Sequence, residues 1–249
     1  MASVIAVTNQ KGGVGKTTTA VNVAYNLAKE GKSVLLVDLD PQGNATSGLG
    51  FEKNGSTTRD VLAKKVGLAD AVQASKYEHL SLLCTDAELA TLETEIATAK
   101  DRAIRLKQVL AEAQFDVVII DCPPSLGLLT VNALVAAQSV IIPVQTEYYA
   151  LEGLGQLLET MKLVRKVLNP RLAILGVVMT MHNSRTTLSA QVEEQLRKHF
   201  KNRLFETTVP RNIRVAEAPS HGKPVGEYDK WSKGARAYKA LTKEVMERL

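Results

Sequence analysis

Val4-Ile5-Ala6-Val7-Thr8-Asn9-Gln10-Lys11-Gly12-Gly13-Val14-Gly15-Lys16-Thr17-Thr18-Thr19-Ala20 is the stretch on which the fold turns. Its first four residues form a continuous β-prone apolar run, the glycines mark a tight loop, and apolar residues then recur at 20, 23, 24, 27 and 28. That order reads as buried strand, loop and amphipathic helix. Gly31 follows the last periodic position, where a left-handed C-cap would end the helix, and Val34-Leu35-Leu36-Val37 begins a second buried strand. Further apolar runs at 80–83, 117–120, 140–144 and 174–179 are separated by helical patterns or polar turns. Strands without polar alternation are covered on both faces, so the expected class is α/β: a mostly parallel twisted sheet with helices on both sides. With no clean linker and no internal repeat, residues 1–249 read as a single domain.

The loop has the chemistry of a phosphate cradle. Gly12, Gly13 and Gly15 let the backbone wrap closely, so that amides along Gly12–Thr18, Val14 included, point inward, and the helix N-terminus adds its positive end. Lys16 can reach the β- and γ-phosphates, and the Thr17 hydroxyl is positioned to ligate Mg²⁺. A lone glycine-rich loop is a weak signal, whereas the full Gly-Lys-Thr ending behind a buried strand is a specific one. Gln10 stands where the standard spacing has its first glycine, and Lys11 places a second cation in the loop.

Two acidic positions fit the same chemistry. Val117-Val118-Ile119-Ile120-Asp121 is a buried strand ending in a carboxylate, the Walker B arrangement in which Asp121 supports Mg²⁺ through water. Val37-Asp38-Leu39-Asp40 ends the second strand with a pair of acids, and alternation along an extended strand would put both on one side, near a γ-phosphate.

Charge is distributed unevenly: residues 185–249 carry a net +6, while residues 1–184 carry −1. A one-sided basic surface attracts polyanions such as nucleic acid or acidic lipid, although a solvated basic face would look the same in sequence. Aromatics make up 4% of the chain, which favours backbone contact with duplex DNA over base stacking on single strands. Cys84 and Cys122 are too few and too far apart for a zinc or cluster spacing and read as core fillers in a reducing compartment. No apolar stretch approaches a membrane span and no leader pattern opens the chain, so a soluble, cytoplasmic protein is expected. Tyr238, Leu241, Val245 and Leu249 fall near one face of a C-terminal helix, which reads as packed on the core, with a membrane-lying helix as the alternative.

Lys11-Gly12-Gly13-Val14-Gly15-Lys16-Thr17-Thr18 resembles the deviant Walker A box of the ParA and MinD superfamily of P-loop ATPases. The resemblance runs from residue 4 to about 240 and is closest to the chromosomal ParA/Soj partition ATPases. It is carried further by Asp38–Asn44, by Asp121-Cys122-Pro123-Pro124-Ser125, by the string from Pro143 to Gly153, and by Pro210-Arg211-Asn212-Ile213-Arg214-Val215-Ala216-Glu217-Ala218-Pro219-Ser220. The resemblance implies ATP and Mg²⁺ as cofactors, and Asp40, Lys16 and Lys11 as the catalytic set. Lys11 would reach across a homodimer to the partner's nucleotide, Asp40 would position the attacking water, Asp38 would lie near the metal, and Pro210, Arg211 and Asn212 would lie against adenine.

It also implies a DNA-partitioning role, in which an ATP-bound homodimer holds double-stranded DNA non-specifically on the nucleoid and a ParB/Spo0J-type partner accelerates hydrolysis and release. Arg185 and Arg214 match the family's DNA-contacting arginines, and Lys198, Lys201, Lys223, Lys230 and Lys233 are further candidates for that surface. No operator-binding extension is expected ahead of the first strand. Two rivals within the superfamily are a MinD-like membrane-associated positioning ATPase and an iron–sulfur ATPase; the latter needs clustered cysteines, which are missing.

Overall fold

A computed structural model describes residues 2–52, 55–147 and 150–249. Seven strands, β1 (Ser3–Val7), β2 (Val34–Asp38), β3 (Val72–Ala74), β4 (Leu80–Leu83), β5 (Val117–Asp121), β6 (Ser139–Gln145) and β7 (Ala173–Thr180), form one sheet in the order β3-β4-β2-β5-β1-β6-β7. All neighbours are parallel except β3, which pairs antiparallel with β4 at the edge. The apolar runs of the sequence coincide with these strands to within a residue or two, and the short edge strand β3 is the one they missed.

Each parallel strand divides its side chains between two cores. Val4 and Ala6 of β1, Leu35 and Val37 of β2, and Val118 and Ile120 of β5 enter one core; Ile5 and Val7, Val34 and Leu36, and Val117 and Ile119 enter the other. A sheet buried on both faces has no solvent side on which polar alternation could appear. The first core is closed by helices α3 (Leu128–Ala136), α4 (Ala150–Val167) and α5 (Thr187–Phe200), together with short helices between residues 58 and 110; the second is closed by α1 (Lys16–Lys29) and α7 (Lys233–Glu247). Of the shorter helices, α2 (Asn44–Gly48) and α6 (Ile213–Glu217) matter most below.

The helix α1 ends as its sequence requires. Gly31 adopts φ +82°, its amide donates to the Ala28 carbonyl at 2.9 Å, and the Lys32 amide donates to Leu27 at 3.2 Å, a complete Schellman closure. Antiparallel to the strands, α1 begins at the carboxyl edge of the sheet beside β1, where strand order reverses and open α/β sheets bind ligands.

The terminal helix bears on the membrane-lying alternative. Tyr238, Leu241 and Val245 are buried against α1, so the apolar face that a lipid surface would need is already occupied. Leu249 departs from expectation: it lies beyond the end of α7 and is 50% exposed. Among the described residues no helix is long and apolar enough to cross a membrane. Leu241→Ala should lower the unfolding free energy by about 2–5 kcal/mol through the cavity it leaves, seen as a fall in the urea midpoint. Leu249→Ala should change it by no more than about 0.5 kcal/mol.

Candidate nucleotide site

The phosphate loop is built from β1 outward. Gly13 and Gly15 have φ of +73° and +85°, and the Cβ of a substituted residue at Gly15 would meet only ordinary contacts, so glycine is required there by backbone conformation rather than space. The Thr180 hydroxyl at the end of β7 donates to the Val14 carbonyl at 2.8 Å, and Asn9 ties the other flank by donating to Pro143 at 2.7 Å while accepting from the Lys11 amide at 3.1 Å. The loop is therefore anchored to β6 and β7 on its far side, leaving its amides toward the cleft.

Lys16 is buried at 6% exposure and folds back to donate to the Lys11 carbonyl at 3.1 Å. Burial lowers its pKa, and the nearby Asp121, Cys122 and Asp40 oppose that shift. Asp121 and Asp38 end neighbouring strands at the same register position, and both carboxylates are buried. Burial first, and the Asp38 charge second, raise the Asp121 pKa well above the ordinary range; the adjacent Thr17 hydroxyl and Lys16 work in the opposite direction. Apart from the adjacent Thr17 hydroxyl, neither Asp121 oxygen has a hydrogen-bond partner among the described residues. A divalent cation is the group such a carboxylate lacks, so Asp121 and Thr17 fit Mg²⁺.

Asp38 is differently employed. Its Oδ2 accepts from the Thr46 amide and hydroxyl at 2.8 and 2.7 Å, and its Oδ1 accepts from the Asp40 amide at 3.3 Å. That last bond turns the chain away from the strand, so the expected alternation stops at Asp38. Asp40 faces the cleft and accepts from the Gln42 amide at 3.0 Å, whereas Asp38 holds the loop that presents it. The two acids thus do not share one side, because the period of two ends with β2 at Asp38.

A cleft of about 430 Å³ lies over this loop, large enough for a small-molecule ligand. Gly12, Gly13, Gly15, Lys16, Thr17 and Thr18 line its phosphate end with Asp40 and Pro124. Met181, Val215, Ala218 and Pro219, with Val21, supply apolar walls of a kind that suits a base. Pro210, Arg211 and Asn212 do not line the cleft: Pro210 is bridged to His182, and the segment leads into α6, which delivers Val215. Sequence reasoning missed Met181, although its position just past the carboxyl end of a buried strand is a usable signal. Ser47 and Gly48 of α2 also border the cleft and were equally unmarked, while Asn44 beside them closes the Asp38–Asn44 string.

Lys11 leaves the cleft. Its Nζ pairs with Glu147 Oε2 at 3.1 Å on a partly exposed surface, and no lining group of the cleft comes from its side chain. Tyr148 and Tyr149 of the motif beyond Glu147 lie outside the described residues.

The relationships of the chain agree with this geometry. A family described as AAA domain matches residues 2–174. The sporulation initiation inhibitor protein Soj of Bacillus subtilis is 53% identical over 249 residues, with 98% of each chain covered, and the chromosome partitioning protein ParA of Myxococcus xanthus is 47% identical, covering 98% of this chain and 88% of its own. The chain belongs to the ParA/Soj family of chromosome-partitioning ATPases. Among solved structures, cobyrinic acid a,c-diamide synthase of Mycobacterium smegmatis with an ATP analogue and magnesium superposes with TM-score 0.86 at 38% identity, covering 98% of this chain and 93% of that one. The septum site-determining protein MinD of Pyrococcus horikoshii with Mg-ADP gives 0.78 at 27%, covering 98% and 96%. The name of the mycobacterial protein denotes another activity, but identity to the Soj and ParA proteins is higher over the same length. ATP and Mg²⁺ are the cofactors of this ParA/Soj site.

The seven basic candidates do not form one patch. Arg214 pairs with Glu217 at 2.9 Å and with Asp229 at 3.5 Å, which sets it beside Lys230; Gly234, next to Lys233, packs against Val215 of the same helix as Arg214. Arg185 lies in the loop ahead of α5, while Lys198 and Lys201 are at the far end of that helix, about 20 Å away at 1.5 Å per residue. Lys223 lines the nucleotide cleft itself. Its backbone loop is fixed there, because Gly222 packs so closely on Gly50 that an added Cβ would lie 2.7 Å from the Gly50 Cα.

The raised pKa of Asp121 and Asp38 fixes a pH dependence. Between the ordinary aspartate range, about 4, and the higher native values, the folded chain binds more protons than the unfolded one, so the nucleotide-free protein loses stability as pH rises through that window. Asp121→Asn should raise the thermal midpoint of the nucleotide-free protein at neutral pH, flatten this dependence, and abolish the additional stabilisation by Mg²⁺ with nucleotide, all readable by scanning calorimetry.

Proposed function

We propose that this ParA/Soj-family ATPase is a nucleotide-gated DNA clamp: Mg²⁺ and ATP join two copies, the pair holds duplex DNA without sequence preference, and hydrolysis releases it. The observation that carries the reading is the direction of Lys11. A loop lysine that served its own nucleotide would lie in its own cleft, whereas this one projects to the surface and is held by the partly exposed Glu147. Exposed ion pairs are worth little, so a triphosphate on a second copy can draw Lys11 away.

Within one subunit the chemistry divides among the residues described above. Lys16 neutralises charge on the β- and γ-phosphates, and its depressed pKa marks a cation stripped of water and awaiting anionic partners. The metal would be held by Thr17 and Asp121, where it supplies charge compensation for the phosphates. Asp40, facing the cleft and steadied by the Gln42 amide, orients the attacking water toward the γ-phosphate. Asp38 acts one step removed, by fixing the loop from Asp40 to Thr46. After hydrolysis the partner's Lys11 loses the γ-phosphate that drew it, and the pair separates.

DNA binding is supported by the net +6 of residues 185–249 and by the clustering of Arg214, Lys230 and Lys233. Joining two such faces multiplies phosphate contacts, and affinity rises steeply with their number. A ParB/Spo0J-type partner that speeds hydrolysis would complete a partition cycle on the nucleoid. The MinD-like membrane alternative is disfavoured because the apolar face of α7 is buried.

Gel filtration and DNA co-sedimentation with ADP, ATP and a non-hydrolysable analogue test the proposal directly. DNA-bound dimers are expected with ATP and the analogue, and free monomers with ADP; equal DNA retention in every nucleotide state would refute the gate. Lys16→Ala should abolish productive ATP binding. Asp40→Ala should retain binding and accumulate DNA-bound dimer with hydrolysis reduced by roughly a hundredfold or more. Lys11→Ala should bind ATP yet remain monomeric.

A further inference from the structure

Trp231 is the sole tryptophan of the chain and is 77% exposed. Indole is a side chain enriched where one surface meets another. Its surroundings are specific. The Lys230 ammonium sits 5.3 Å from the ring centroid, and the Trp231 amide donates to Asp229 Oδ1 at 3.1 Å. The other oxygen of Asp229 pairs with Arg214, so one carboxylate joins the tryptophan to the arginine of the basic cluster. Ile213, next to Arg214, is 73% exposed.

A groove runs beside Trp231 between α1 and α7, and its cations are Lys29, Lys230, Arg236 and Lys239. Two of its acids are already engaged, Glu227 by the Tyr25 hydroxyl at 3.0 Å and Asp229 by Arg214; Glu30 is the third. The surface therefore offers positive charge around a flat apolar plate.

We infer that Trp231 is part of the DNA footprint, where the indole lies against the sugar edge of duplex DNA and adds a salt-independent contact beside the phosphate contacts of Arg214 and Lys230. The inference rests on the DNA-binding reading above and deepens it. Charge complementarity and continuity with the Arg214 cluster favour a polyanion. An anionic membrane suits the patch less well, because the two exposed apolar side chains are separated by charged residues and α7 has no free apolar face.

Because Trp231 is the only indole, its accessibility to acrylamide reports on this face alone. The full-length protein is titrated with duplex DNA in the ATP-analogue and ADP states, and in parallel with phosphatidylglycerol vesicles. Shielding of the indole by duplex only in the analogue state is expected. Trp231→Ala should weaken duplex binding on the order of tenfold with an unchanged salt slope, and Trp231→Phe should recover part of it. Lys230→Ala should instead lower the salt slope by about 0.9 for each phosphate that is no longer neutralised.

Failure of the parent to bind duplex at all would overturn the clamp and this inference together. Duplex binding with the indole still fully accessible, or with Trp231→Ala equal to the parent, would overturn the inference alone. Shielding by the analogue without DNA would assign the face to the subunit seam, and shielding by vesicles would assign it to lipid; either overturns it.

Discussion

The structure depends on a buried carboxyl group with too little compensation of its own. Asp121 and Asp38 terminate adjacent parallel strands at one register position, deep enough that solvent cannot screen them. Asp38 is satisfied by Thr46 and the Asp40 amide, whereas Asp121 has only the adjacent Thr17 hydroxyl and Lys16 to compensate it. Two like charges in a low-dielectric site raise each other's cost, and a divalent cation with a triphosphate relieves it. The nucleotide-free fold therefore holds unfavourable electrostatics in the place where the ligand adds favourable ones.

That tension is transmitted through short connections. Asp38 fixes the loop carrying Asp40 and the start of α2, and α2 borders the same cleft. The turn after α2 meets the loop of Pro219 and Lys223 where Gly50 and Gly222 touch backbone to backbone, a contact that no side chain would tolerate. From there the chain continues through Tyr228, whose hydroxyl donates to Glu217, the acid that also holds Arg214. Phosphate site, base walls and basic face are thus adjacent links of one packed surface. A change at one has a physical route to the next without any long-range device.

The seven strands and the phosphate loop were legible, β3 apart, because they are local. Apolar runs bounded by turns declare buried parallel strands, and a glycine loop with Lys16 and Thr17 declares its ligand by chemistry that any strand-loop-helix unit supplies. Asp40 and Asp121 were found for the same reason, each lying at or just beyond the end of an apolar run. The edge strand β3 was not legible, since three partly or fully exposed residues carry no periodic signal.

Residues 4–20 alone determined the sheet's first unit, the cofactor class and the unusual second lysine, since those properties follow from side-chain type and spacing. Only the tertiary structure decided what each charge faces. It turned Lys11 out of its own cleft, set Asp38 to hold a loop rather than share a side with Asp40, and moved Lys223 from the presumed basic face into the nucleotide cleft. It also split Lys198 and Lys201 from Arg185 by the length of a helix and placed Trp231 beside Arg214. A charge has no direction in a sequence; its direction is set by the packing of segments far apart in the chain, and that packing is the result of folding two cores around one sheet.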